Sequence, residues 1–224
     1  MQEASRNELE TEEERAALRA AAQGNASLVG QVLGTYSPRL RNMLRLRIAP
    51  QLAGRVGVSD VLQEAFMEVT ERLPKYLESR EDSEDRGAMP FFLWVRFLTG
   101  QQLARAYRFH LGTPQRDAGR DQAFEAGSIP GASSACLALA LADSGVSPSG
   151  AASEQEAQEI LAEALDELNE EEREVLMLRH FEHLSNREIA RILDMSEPGA
   201  SLRHLRALKR LRTVLGQKGL EFPG

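Results

Sequence analysis

The 224-residue chain has one cysteine, Cys136, one tryptophan, and aromatic residues amount to only 5% of it. A single thiol excludes an intramolecular disulfide and leaves no cysteine cluster for zinc, so the expected compartment is the cytoplasm. No stretch approaches the roughly 18 consecutive apolar residues of a membrane span. The first residues, MQEASRNELETEEER, are acidic where a signal peptide is basic and then apolar. Neither targeting segment, anchor nor membrane contact is expected. A nucleophile paired with a base, a metal cage and a phosphate-binding glycine loop are also missing, so no enzyme activity, metal or cofactor is expected. Strand-like alternation is absent from residues 8 to 54, which together with the scarcity of aromatics favours a helical chain.

What is present is enough apolar material, 42% of residues, for one or two real cores. The formal net charge of -7 is unevenly spread. Residues 26 to 112 and 175 to 224 are net basic, and acidic segments flank and separate them, residues 153 to 174 most strongly. An acidic whole binds bare DNA poorly, because phosphate neutralisation supplies most non-specific affinity. Two basic blocks in such a chain suit a protein that meets DNA with the help of a larger partner.

Residues 169 to 215 organise the reading. Asn169 with Glu172 and Ser185 with Glu188 are capping-box pairs, in which a short side chain and a glutamate satisfy orphan backbone N–H groups reciprocally. Ser196 is a third candidate N-cap. Ile189, Ala190, Ile192 and Leu193 form a short apolar stripe, and only Asp194 and Met195 separate it from that cap. Such a short turn fits a helix-turn-helix, whose second helix enters the major groove. In that helix Ala200, His204, Ala207, Leu208, Leu211 and Leu215 share one face, as a core-facing stripe does. Opposite them lie Ser201, Leu202, Leu205, Arg206, Lys209 and Arg212, flanked by Arg203 and Arg210. Cations suit phosphates, and an outward leucine suits a thymine methyl. A solvated basic helix with two stray leucines carries the same pattern.

Taken in order, residues 8 to 22 are rich in Glu and Ala and predict a helix. A second is capped by Ser27, and a third follows the Ser37-Pro38 break, carrying Leu40, Met43, Leu44 and Ile48 until Pro50 and Gly54 close it. Residues 59 to 73 form the clearest amphipathic helix of the first half: Val61, Leu62, Ala65, Phe66, Val69 and Leu73 share a face, so Asp60, Gln63, Glu64, Glu68 and Glu71 are expected to point outward. That acidic row reads as a docking surface for a basic partner or as a solvated face. A charged loop, LPKYLESREDSEDRGAMP, ends at Pro90, which suits a helix's first turn. The helix that follows interleaves Phe91, Phe92, Trp94 and Phe97 with Arg105, Tyr107, Arg108, Phe109 and His110. Cations among aromatics can make a single-strand platform, and Trp94 and Phe97 also fit a core. Residues 112 to 153 are rich in Gly, Pro, Ser and Ala and read as a linker, with one apolar island, ACLALALA, at 135 to 142. From Glu154 to Leu168 an acidic helix carries Ile160, Leu161, Ala164, Leu165 and Leu168 on one face.

The ordered set of DVLQEAF at 60 to 66, Phe91 and Trp94 opening a helix with Arg96 and Arg108, and REVLMLRHFEHLSNREIARILDMSE ahead of RALKRL resembles a bacterial RNA polymerase sigma factor, and more narrowly its extracytoplasmic-function class. The resemblance runs from about Leu28 to Leu215. It implies an all-α fold: an acidic N-terminal extension (1–25), a sigma region 2 domain (26–111), a flexible linker (112–153), a sigma region 4 helix-turn-helix domain (154–217) and a short tail (218–224). It implies promoter-specific transcription initiation, with core RNA polymerase and promoter DNA as partners and room for an anti-sigma factor. By position, Asp60, Gln63 and Glu64 would grip polymerase, and the loop Ser79 to Met89 would hold a flipped base of the downstream (minus-10) element. Arg96, Gln101, Arg105 and Arg108 would meet that element; Gln101 and Arg105 stand where the family usually has Asn and Asp. Ser196, Glu197, Ser201, Leu202, Arg203, Leu205, Arg206 and Lys209 would meet the upstream (minus-35) element. The competing reading is a stand-alone helix-turn-helix regulator whose first half senses a signal or dimerises; bare-DNA footprinting separates the two.

Overall fold

Every regular element among the described residues is helical. The computed structural model describes residues 12–22, 26–81, 89–111, 131, 134, 137–138 and 154–219. Eight α-helices lie within them: α1 (Glu12–Ala22), α2 (Ala26–Arg47), α3 (Val58–Glu81), α4 (Phe91–Leu111), α5 (Glu154–Asp166), α6 (Glu170–His180), α7 (Asn186–Ile192) and α8 (Glu197–Gln217), with a single 3-10 turn at Pro50–Leu52. Most of the linker and residues 82–88 of the charged loop lie outside the described residues. The chain divides into two compact units, one of Met1–Leu44 with Gly54–Pro130, the other of Arg45–Ala53 with Gly131–Gly224.

In the first unit, two prolines do not end helices as the sequence predicts. The expected break at Ser37-Pro38 is absent, and α2 runs through Pro38 without interruption. A proline inside a helix costs about 3 kcal/mol, through a lost backbone bond and a clash with the preceding turn. Leu33 and Tyr36 on one side of Pro38, and Leu40, Met43 and Leu44 on the other, are 0–7% exposed. At about 1.5–3 kcal/mol for each large apolar side chain buried, they outweigh that cost and hold both halves in line. Likewise α3 continues through Pro74 to Glu81, into what reads as a loop. The cause is Tyr76, 6% exposed, whose ring stacks on Trp94 at 4.3 Å and whose hydroxyl donates to the Met89 carbonyl at 2.8 Å. Tyr36, Tyr76, Phe91, Phe92 and Trp94 form one aromatic cluster, and the Arg39 guanidinium lies 3.8 Å over the Phe92 ring. Around it α3 packs along α4, and α1 packs on α3.

In the second unit, α8 packs against α5, α6 and α7. Two apolar faces read from the sequence supply its core, Leu161, Ala164, Leu165 and Leu168 on one and Ala200, Ala207, Leu211 and Leu215 on the other, and the structure adds Val175 to Leu178 of α6 to them. Leu137 and Ala138, from the apolar island, are each 1% exposed; the rest of the island, Cys136 included, lies outside the described residues. Arg47 is also buried in this unit, at 1% exposure, paired with Glu174 and donating to Glu182 Oε1 at 2.7 Å. Neutralisation by carboxylates is what lets a guanidinium sit there.

Candidate functional site

Three caps position the helix-turn-helix. Asn169 and Ser185 each accept from the backbone N–H three residues on, and Glu172 and Glu188 reach back to the cap N–H groups at 3.1 and 2.7 Å. Both capping boxes therefore form. Between α7 and α8, Asp194 takes the left-handed conformation (φ 49°), and the Met195 N–H donates to the Ala190 carbonyl at 2.9 Å. This six-to-one bond and left-handed residue make a Schellman stop, for which Asp is a tolerable substitute for glycine. Ser196 then caps α8, with Pro198 in its first turn.

On α8 the two faces separate as read. Leu202 and Leu205 are 48% and 59% exposed, and Arg206 and Lys209 are exposed beside them. Ser196 and Glu197 are exposed at the helix start, while Ser201 is half-buried. Arg203 differs: it bonds Glu171 of α6 at 2.7 Å. Arg210 similarly donates to the Glu167 carbonyl at 3.1 Å and faces Glu172 at 3.6 Å. Part of the helix's positive charge thus fastens it to the acidic helices beneath. Cations leading outward are Arg206, Lys209 and Arg212.

His204 carries a pairing that the sequence does not announce. Its Nε2 lies 2.9 Å from Nε2 of His180, so one imidazole donates and the other accepts. Burial first, then the neighbouring His180 and Arg179, push the His204 pKa down to about 4 from 6.5. Burial, Arg179 and His183 lower that of His180. The unfolded chain therefore binds protons at these positions before the folded one does. Stability from the pair is present above about pH 6.5 and is lost as the pH falls toward 4. His204→Leu should flatten that part of a melting-temperature profile against pH; a profile left unchanged would remove the pair from the account.

In the first unit, Asp60, Gln63 and Glu64 are exposed on α3. Gln63 also borders an open groove of about 890 Å³ between α2 and α3, lined by Leu33, Arg41, Leu62, Phe66 and Met67. Glu68, read from the sequence as outward, is instead 7% exposed. It turns to α4, accepting from Gln102 and pairing with Arg105 at 3.1 Å, while Arg72 reaches its other oxygen at 2.6 Å. Three polar partners compensate its burial. On α4, Arg105 and Arg108 are exposed and Gln101 is half-buried, whereas Arg96 is 3% exposed and presents nothing to the surface. Phe91 and Phe92 are core residues, Trp94 and Phe97 half-buried, and Phe109 is 80% exposed. Among the described residues no group of three or more His, Cys, Asp or Glu could hold a metal ion, and no helix is long and apolar enough to cross a membrane.

A family model described as "Sigma-70, region 4" matches residues 158–211, from within α5 to the fourth turn of α8. The curated relatives include the "ECF RNA polymerase sigma factor SigD" of Mycobacterium bovis and that of Mycobacterium tuberculosis, each 28% identical over 199 residues, which is 89% of this chain and 82% of theirs. The chain is thus similar to extracytoplasmic-function sigma factors over most of its length, and to sigma-70 region 4 in its second half. Among solved structures, CnrH in complex with the cytosolic domain of CnrY aligns over 92% of this chain and 99% of that one, with a TM-score of 0.51 and 21% identity. That likeness is one of fold. The matched region 4 segment holds the α6–α7–α8 frame, so the surface of Leu202, Leu205, Arg206 and Lys209 is carried by the part of this chain that the family model matches.

Proposed function

We propose that this chain is a sigma factor that brings core RNA polymerase to promoters with two recognition surfaces. Residues of α8, chiefly Leu202, Leu205, Arg206 and Lys209, with Ser196, Glu197 and Ser201 at its start, meet the upstream element. Gln101, Arg105 and Arg108 of α4, with the segment from Ser79 to Met89, meet the downstream element as the duplex opens; Arg96, being buried, is not part of that surface. Asp60, Gln63 and Glu64 grip polymerase. The observation that carries this reading is the exposed, mixed apolar and basic face of α8 on a fully capped helix-turn-helix. A protein partner of the anti-sigma kind is supported by the fold's likeness to CnrH, which is seen bound to the cytosolic domain of CnrY. No step of catalysis is assigned to this chain, and its place of action is the cytoplasm.

In vitro transcription with core polymerase over a random promoter library tests the reading. Selected templates should share two elements, and the chain alone should leave them unprotected in a footprint. Protection by the chain alone, with no transcription, would favour a stand-alone regulator. Glu64→Lys reverses a charge on an exposed position and should change stability by no more than about 0.5 kcal/mol. It should nevertheless weaken core-polymerase binding; a folded Glu64→Lys protein that binds core as tightly as the parent would move the docking face elsewhere.

A further inference from the structure

Of the chain's four histidines, His180 closes α6, His183 stands in the turn after it in the left-handed conformation (φ 54°), and His204 lies on α8. The Nε2 atoms of His180 and His204 face each other at 2.9 Å, with ring centroids 5.0 Å apart and planes 38° from parallel. His180 is exposed and His204 half-buried, so solvent reaches the contact. Burial is the first cause holding each pKa below its ordinary value, and Arg179 adds to both. Both rings are therefore neutral at pH 7, and the neutral imidazole is the form that ligates metal ions.

We propose that His180 and His204 together ligate a late first-row divalent ion, with water completing its coordination. Imidazole nitrogen sits about 2.0–2.1 Å from such an ion, so two nitrogens at a right angle lie about 2.9 Å apart and two at a tetrahedral angle about 3.3–3.4 Å. The separation of 2.9 Å is that of neighbouring corners of a tetragonal site, the geometry of Cu2+ and Ni2+. The rings point nearly at one another, and each turns modestly outward for both lone pairs to reach the ion. The proton that the donating ring holds at Nε2 moves to its own Nδ1. Both rings then ligate as neutral imidazoles, and no net proton is taken up or released. With only two protein ligands, and with the charge of Arg179 opposing a second cation, the ion is exchangeable rather than a permanent part of the fold. Its effect is mechanical. The two ligands come from different helices, so the ion fastens to α6 the helix that carries Leu202, Leu205, Arg206 and Lys209, adding to the Arg203–Glu171 pair at 2.7 Å.

The test uses the full chain with Cys136→Ser, which removes the thiol as a competing ligand, titrated with Cu2+ in a weakly coordinating buffer. One ion per chain should be taken up, with two imidazole nitrogens resolved in its electron paramagnetic resonance spectrum. The chain should also melt at a higher temperature with the ion than without it, since an ion held across two helices favours the folded state. His180→Gln, at an exposed position, and His204→Leu, which suits the apolar face of α8, should each lose the site and the rise in melting temperature. His110→Ala should keep both. Should His204→Leu fail to fold, His180→Gln decides alone. A chain that takes up no Cu2+, a spectrum with a single nitrogen, or uptake that survives His180→Gln or a folded His204→Leu overturns the proposal. So does uptake without a rise in melting temperature, which would place the ion on the unfolded chain as much as on the folded one.

Discussion

Leu211→Ala should destabilise the second unit by about 2 to 5 kcal/mol, the range for truncating a large buried apolar side chain and leaving a cavity. Leu211 is 3% exposed on the face of α8 that packs against α5, α6 and α7. Leu205→Ala, the same substitution less than two turns earlier, should change stability by no more than about 0.5 kcal/mol, because that side chain is 59% exposed. Urea unfolding monitored by hydrogen exchange of the α6 and α8 amides would compare the two. Comparable losses for both would mean that α8 is rotated about its axis from the orientation described.

The two exposed side chains should also fail differently in promoter binding. Leu205→Ala should relax preference at one upstream base pair, at about 1 to 3 kcal/mol for a lost thymine-methyl contact. Arg206→Ala should weaken holoenzyme binding across all upstream sequences and lower the salt slope by about one unit, since it removes a phosphate contact without a base preference. Arg203, tied to Glu171, should contribute less to that slope than Arg206. Holoenzyme affinities for a panel of upstream variants at several salt concentrations measure all three. A Leu205→Ala protein that keeps every base preference would transfer recognition to another part of the helix.

The helix-turn-helix was legible because its signals are local. A capping box spans four residues and a Schellman stop six, so Asn169, Ser185, Ser196 and the turn at Asp194 are written in neighbouring positions, and the apolar stripe of α8 needs only its own period. Proline was a poorer guide. Pro38 and Pro74 announce breaks in the local code, yet apolar burial on both sides of the first, and the aromatic stack of Tyr76 beyond the second, carry the helices through.

The direction of individual polar side chains was a matter of distant partners. Glu68 lies on the border of its helix's apolar face, and only Gln102 and Arg105, 34 and 37 residues further on, draw it inward. His204 reads as one more member of a core stripe; burial is the main cause of its lowered pKa, and His180, its partner from another helix, adds to it. The sequence by itself determined the helical class, the caps, the faces of α8 and the basic and acidic blocks, all properties of short windows. Only the tertiary structure decided which arginines fasten helices and which face outward, and which aromatic of α4 keeps an open ring. Burial and ion pairing depend on what packs opposite, and what packs opposite is set by chain segments far away in sequence.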